Sequence, residues 1–242
     1  MVERTALIVG GTSGIGLATA RRLLGLGAAV HVVGRGKDRL DALADTDPAI
    51  TGHQADGGDR DEITAVVEKI GQIDWLVVSL SGGEGSGPIA DLDLGMLRRA
   101  FEAKFFSHLT TVQAALPHLS PAGSITLVSA ISARGAMPGT AGLAAVNGAV
   151  EALVAPLAVE LAPIRVNAVS PGIVDTPWWS GLPEAARQAF FAQVAQVLPT
   201  RRVATADDIA EVVVLAATNA NTTGTVLETD GGARLVQLGQ LA

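Results

Sequence analysis

The sequence predicts a doubly wound α/β fold: one parallel sheet of about seven strands with helices on both faces. Three observations predict it. Short apolar runs alternate with helical patterns along most of the chain. The runs Leu76-Val77-Val78 and Ile125-Thr126-Leu127-Val128 are continuous rather than alternating, as expected of strands covered on both faces. The connections are short, which implies right-handed crossovers between parallel strands.

The elements follow in order. Residues 5–10 form the first strand and run through a glycine-rich turn into a helix near 14–26, closed by Gly27 in the left-handed conformation. A strand at 29–34 leads to a helix near 37–44, and a strand at 50–54 to a helix near 59–70. The strand at 75–80 precedes a long helix over 92–118, and the strand at 124–129 precedes another over 139–161. Pro156 falls inside that last span, where it removes a backbone donor and should kink the helix. A strand at 165–169, helices near 183–197 and 206–218, and a strand at 226–229 complete the order. No repeat, low-complexity linker or charge block divides the 242 residues, so a single domain is expected.

Composition narrows the function. A formal charge of −7 argues against a nucleic-acid partner, whose phosphates are bound by clustered Lys and Arg. With no cysteine there is neither a disulfide nor a thiolate metal site, and no metal is expected. Met1-Val2-Glu3-Arg4-Thr5 runs straight into the first strand, so no signal peptide is expected. No apolar run is read as reaching the roughly 18–20 residues that span a bilayer. The expectation is a cytoplasmic protein without a membrane partner.

The turn after the first strand carries the clearest chemistry. Gly10, Gly14 and Gly16 form a G-x-x-x-G-x-G spacing around Thr12, Ser13 and Ile15. Gly10 and Gly14 permit a tight turn, and Gly16 lets the helix pack close to the sheet. The helix N-terminus, with its free N–H groups, then faces a pyrophosphate. At the end of the second strand an acidic residue would hold the ribose 2′-hydroxyl of NAD. Gly34-Arg35 stands there instead, so a guanidinium is available for a 2′-phosphate and NADP(H) is the expected cofactor.

With these features the sequence resembles the short-chain dehydrogenase/reductase family over nearly its whole length. Residues 9–16 resemble the family's T-G-x-x-x-G-x-G, with Val9 in place of the threonine. The resemblance implies a single-domain Rossmann-like fold and gives several residues cofactor roles. Asp56, with Gly57 after it, matches the aspartate that contacts adenine. The altered stretch Val78-Ser79-Leu80-Ser81 stands where the family has Asn-Asn-Ala-Gly, placing Ser79 and Ser81 beside the cofactor. Residues 165–177 match the segment whose backbone, at Pro171, Gly172 and Ile173, and whose threonine, here Thr176, hold the nicotinamide carboxamide. Residues 223–232 match the family's final strand.

The departures cluster where the family keeps its catalytic side chains. The chain contains no tyrosine. Family members carry Tyr-x-x-x-Lys on the fifth helix, a serine thirteen residues earlier and an asparagine on the fourth helix. Aligned on Pro138-Gly139 and Gly148-Ala149-Val150-Glu151, the tyrosine position holds Leu143, the lysine Asn147 and the serine Ala130, with Ser129 and Ser132 as neighbours. Aligned on Gln113-Ala114-Ala115-Leu116-Pro117, the asparagine position holds Lys104. Leucine has no proton to give to a developing alkoxide, and alanine cannot hydrogen-bond it.

Lysine and asparagine are thus exchanged between two helices. If they meet below the nicotinamide ribose, Lys104 is a partly desolvated cation whose pKa falls toward use as an acid or base. Lys104 is the expected catalytic group, with Asn147 orienting it or the ribose and Ser129 contacting an oxyanion. His108, one turn beyond Lys104, is a possible relay.

The resemblance implies that the stretch 173–200 is the substrate lid. Trp178, Trp179, Phe190 and Phe191 suggest an apolar or aromatic small-molecule substrate, or else an interface. The small-residue fifth helix and the apolar tail 235–242 suit a homodimer or homotetramer. The leading expectation is an NADP(H)-dependent oxidoreductase acting on a carbonyl or alcohol through a non-standard centre. Two alternatives stand beside it: a non-catalytic NADP-binding protein or partner subunit, and a non-redox cyclase or isomerase in the same pocket.

Overall fold

The computed structural model describes residues 4–236; part of the apolar tail read as an interface, 237–242, lies outside them. Seven strands form one parallel sheet. They are β1 (Thr5–Val9), β2 (Ala29–Gly34), β3 (Ile50–Gln54), β4 (Ile73–Val78), β5 (Leu119–Val128), β6 (Arg165–Pro171) and the final strand (Val226–Thr229). Their spatial order is β3-β2-β1-β4-β5-β6 and then the final strand. The order reverses between β1 and β4, and a crevice at such a switch point is where doubly wound sheets bind ligands. A small parallel pair, β7 (Val174–Asp175) and β8 (Ala204–Thr205), stands apart from this sheet and makes the final strand β9.

The continuous apolar runs serve two cores. Leu7 and Val9 point to one face, where Ile63 and Val67 of helix α3 (Arg60–Ile70) and Val150 meet them. Ala6 and Ile8 point to the other, against Ala20 and Leu23 of α1 (Gly14–Gly25). A strand with both faces covered has no solvent side to mark with polar residues. Helix α1 ends as its sequence predicts: Gly27 has φ +83°, its N–H bonds Leu24 O, and the Ala28 N–H bonds Leu23 O.

Two helices differ from expectation. The span 92–118 is not one α-helix but α4 (Leu94–Phe101), a π-helical turn (Glu102–Phe106), α5 (Ser107–Ala115) and a 3₁₀ turn ending at His118, with α2 (Lys37–Thr46) earlier in the chain. The carbonyls of the wide turn accept the Ser107 N–H, and side chains share them: Ser107 Oγ donates to Glu102 O at 2.8 Å, and His108 Nδ1 lies 2.7 Å from Lys104 O. The span 139–161 breaks into α6 (Ala141–Ala152) and α7 (Val154–Glu160), because Pro156 has no N–H to offer Ala152. Together, Ala141–Glu160 is long and apolar enough to cross a membrane by length and composition alone, contrary to the sequence reading. Here this kinked pair lies against the sheet, with Val150 and Val154 in the core. The remaining helices are α8 (Glu184–Val197) and α9 (Ala206–Thr218).

Three histidines make the fold acid-sensitive. His31 and His53, 3.0 Å apart between ring nitrogens, are half-buried and both pushed below the usual histidine pKa, chiefly by desolvation. His108 is fully buried, and burial, then the Lys104 charge, pushes it down to about 3. The folded state therefore binds fewer protons than the unfolded state below pH ~6.5, and stability is lost as pH falls from there. Chemical unfolding at successive pH values is expected to show a loss of up to about 1.4 kcal/mol per pH unit from His108 alone. Lys104 adds nothing in this window, being protonated in both states.

Candidate active site

The C-terminal ends of the strands open into a cleft of about 1210 Å³ that continues into a cavity of about 470 Å³. Gly10, Ser13, Ser79 and Ser81 line both. The glycine turn is built for close approach. Gly10 has φ +85° and Gly14 φ +52°, and a Cβ at Gly16 would lie 2.1 Å from Gly10 O. Gly16 itself faces packing and lines neither, while Thr12 lines the cleft and Ile15 the inner cavity. The N-cap residue Ser13 makes no side-chain cap, unlike Asp59 at α3 or Thr205 at α9, so the first N–H groups of α1 remain free toward the cleft. Thr176 stands across from them, 3.4 Å from where a Cβ on Gly14 would sit.

At the other end of the cleft Arg35 is exposed and touches Asp56 only loosely, at 3.7 Å. Asp56 Oδ1 accepts the Gly58 N–H at 2.9 Å. Gly57 lines the cleft beside it. A second guanidinium, Arg39 on α2, lines the same cleft. Sequence reading passed over it because a charged residue on an exposed helix start carries no motif. Its position four residues after Arg35, in the first turn of α2, was the available signal.

The inner cavity holds Lys104, Leu143, Asn147, Ser129, Ala130 and Ser132 together with Pro171, Gly172 and Ile173. Lys104 is 7 % exposed, donates to Ser129 O at 3.2 Å and makes no ion pair among the described residues. Burial pushes its amine down to about 8, against the opposing charge of Glu151. An ammonium has three donors, so one carbonyl leaves donors for a guest.

Three expected roles meet a different geometry. Lys104 and Asn147 share the cavity without a hydrogen bond between them. Asn147 Nδ2 donates instead to Ser132 Oγ at 3.0 Å and Leu143 O at 2.9 Å, because an intrahelical carbonyl four residues back is always in reach. Its buried Oδ1 has no partner among the described residues. The Ser129 hydroxyl is committed to Glu151 Oε1 at 2.7 Å, so its carbonyl, not its hydroxyl, faces Lys104. His108 is fully buried and lines neither cavity, so the relay has no opening to a substrate.

The stretch 173–200 brings hydrocarbon. Trp179 Nε1 donates to Val174 O at 2.9 Å and its ring packs on Phe190 and Phe191, which ties this stretch to α8. Trp178 is the exposed ring of the pair and, with Met137 and Leu143, forms an apolar wall of the cavity.

A family model described as enoyl-(acyl carrier protein) reductase matches residues 9–234. The chain is 35% identical over 243 residues to cis-4-hydroxycyclohexanecarboxylate dehydrogenase of Sinomonas cyclohexanicum, covering 95% of this chain and 96% of that one. Among solved structures it resembles a small-chain dehydrogenase in complex with NADPH, at a TM-score of 0.81 and 32% identity over 97% of this chain and all of that one. It also resembles a short-chain dehydrogenase/reductase family oxidoreductase from Burkholderia thailandensis, at a TM-score of 0.88 and 27% identity, covering 98% of this chain and 95% of that one.

Proposed function

Because the chain belongs to the short-chain dehydrogenase/reductase family of oxidoreductases, we propose that it moves hydride between NADP(H) and a carbonyl or alcohol carbon through a centre in which Lys104 takes the place of the missing phenol. The observation that carries this reading is the buried Lys104 amine, opening into the same cavity as Leu143 and Asn147.

The cleft fits the cofactor. Gly10 and Gly16 leave no room for a Cβ, the α1 N-terminus is uncapped by side chains, and Asn147 Oδ1 is a buried acceptor in want of a donor. Gly10, Thr12, Ser13, Gly14 and Ile15 would hold the pyrophosphate, Asp56 and Gly57 the adenine, and Ser79 and Ser81 the adjoining ribose side. Pro171, Gly172, Ile173 and Thr176 would hold the nicotinamide end, with Asn147 toward its ribose. Arg35 and Arg39 favour a 2′-phosphate, in keeping with the NADPH complex of the 32%-identical relative. Bound NADPH supplies the hydride. In the reductive direction Nζ of Lys104 supplies the proton to the substrate oxygen; in the oxidative direction the neutral amine removes it. Leu143, Met137 and Trp178 exclude water and select an apolar or aromatic guest. We further read the partly exposed α6–α7 face, with Val159 at 80 % exposure, as a homodimer or homotetramer contact, in a cytoplasmic protein without nucleic-acid or membrane partners.

A second reading, an NADP-binding protein without turnover, is favoured by the hydrocarbon of Leu143 where the family keeps its tyrosine. One pair of measurements separates them. NADPH is expected to change the fluorescence of Trp178 and Trp179 saturably, and a panel of apolar ketones and aldehydes to be reduced with loss of NADPH. Binding without turnover on any of the panel leaves the second reading; no binding removes both. In the binding assay, Arg35→Ala and Arg39→Ala should each weaken NADPH by about 10–100-fold, the equivalent of a charged hydrogen bond, and leave NADH unchanged. Equal losses for both cofactors would exclude a 2′-phosphate site.

A further inference from the structure

Behind Lys104 lies a run of charged groups that the cofactor cleft and the substrate cavity do not use. Glu151, on α6, accepts the Ser129 hydroxyl on Oε1 at 2.7 Å and Arg134 Nε on Oε2 at 2.8 Å. Arg134, in the 3₁₀ turn region after β5, donates onward to Glu228 of β9 at 2.6 Å, and Arg234 pairs with the same Glu228. The Glu151 side chain is only 9 % exposed. It connects to the cavity through one residue: Ser129, whose hydroxyl Glu151 holds and whose carbonyl Lys104 holds.

We propose that Glu151 is a positioning residue for Lys104. It fixes Ser129, and with it the carbonyl that orients the amine, and it supplies the negative charge that favours the buried ammonium. The proposal rests on the reading of Lys104 as the proton donor. A carboxylate bonded directly to Lys104 would hold the proton too firmly for transfer. Removed by one residue, Ser129, and half-neutralised by Arg134, it offsets part of the desolvation without closing the amine off from a guest. The charged and titratable groups around Lys104 are few. His108 on α5 is neutral, Glu151 faces it from α6, and Arg134 and Glu228 stand behind Glu151.

The chain has three lysines, so each can be followed separately after reductive methylation with ¹³C-formaldehyde. In the full-length protein the Lys104 methyl resonance is expected to titrate near pH 8. In Glu151→Gln its midpoint should move down by about one pH unit, while those of Lys37 and Lys69 stay in place. Glu151→Asp, which keeps the charge, should restore most of the shift. Arg134→Met, which removes the compensating cation from a partly exposed position, should move the midpoint upward and serves alone if Glu151→Gln does not fold. The pH at which reductive kcat/KM falls should move with the resonance, with kcat/KM at acidic pH kept within about twofold; a residue that only braced the fold would lower activity at every pH without moving the midpoint. A Lys104 midpoint unmoved in both Glu151→Gln and Arg134→Met overturns the proposal. A midpoint that moves in a protein whose turnover ignores it refutes the proton-donor reading and leaves the Glu151–Lys104 coupling standing.

Discussion

Replacing Lys104 by methionine is expected to lower kcat/KM for carbonyl reduction by about 10²–10⁴-fold, the usual contribution of a positioned acid. Methionine has a similar length and fills the cavity wall, but it has no proton to deliver. The fold should tolerate it. The substitution leaves Ser129 O without its side-chain donor, yet it also removes a buried cation that makes no ion pair among the described residues. NADPH affinity, carried by the glycine turn and by Arg35 and Arg39, should change by less than about threefold, or about 0.7 kcal/mol. The pH profile gives a second check with a definite sign. Reduction needs the ammonium, so its rate falls as pH rises through about 8; oxidation needs the free amine, so its rate rises through the same point. Unaltered turnover in Lys104→Met would remove the side chain from the mechanism and return the centre to Asn147 and bound water.

Gly16→Ala is expected to cost about 3 kcal/mol or more of stability and to abolish NADPH binding at concentrations that saturate the wild type. The added Cβ would sit 2.1 Å from Gly10 O and 3.0 Å from Gly11 Cα, both backbone atoms that no rotamer change can move aside. Relief requires α1 to withdraw from the sheet, which carries its N–H groups away from the cleft. Nine residues further along the same helix the sign reverses. A Cβ added at Gly25 would meet nothing within 4 Å, so Gly25→Ala should stabilise by about 0.5–1 kcal/mol through the unfolded chain and leave binding unchanged. Thermal melts and NADPH titrations of the two variants test this. Equal behaviour would mean that the turn is a loose connection and not a fitted cradle.

The same contrast runs through the fold. Leu76-Val77-Val78 announced a strand covered on both faces, and β4 is one, with Leu76 and Val78 in one core and Val77 in the other. Gly27 announced a left-handed helix end, because few residues accept φ +83°. Pro156 announced a kink because it lacks a donor. In each case a local rule of backbone geometry or side-chain period was sufficient. Local rules did not reach the π turn at 102–106. A helical pattern read at 3.6 residues per turn carries no mark for one wide turn, and the groups that satisfy it, Ser107 and His108, look like ordinary helix residues. Nor did they reach Glu151, used to anchor the alignment but given no task until Ser129 and Arg134 closed around it.

By itself, the order of residues determined the α/β alternation, the glycine turn and the loss of every tyrosine, since each depends on neighbours along the chain or on a simple count. Tertiary packing alone decided that Lys104 turns inward, that it holds a carbonyl and not Asn147, and that Ser129 gives its hydroxyl away. Those outcomes depend on which partners lie within about 3 Å across elements far apart in sequence, and on how much water the packing excludes from an amine.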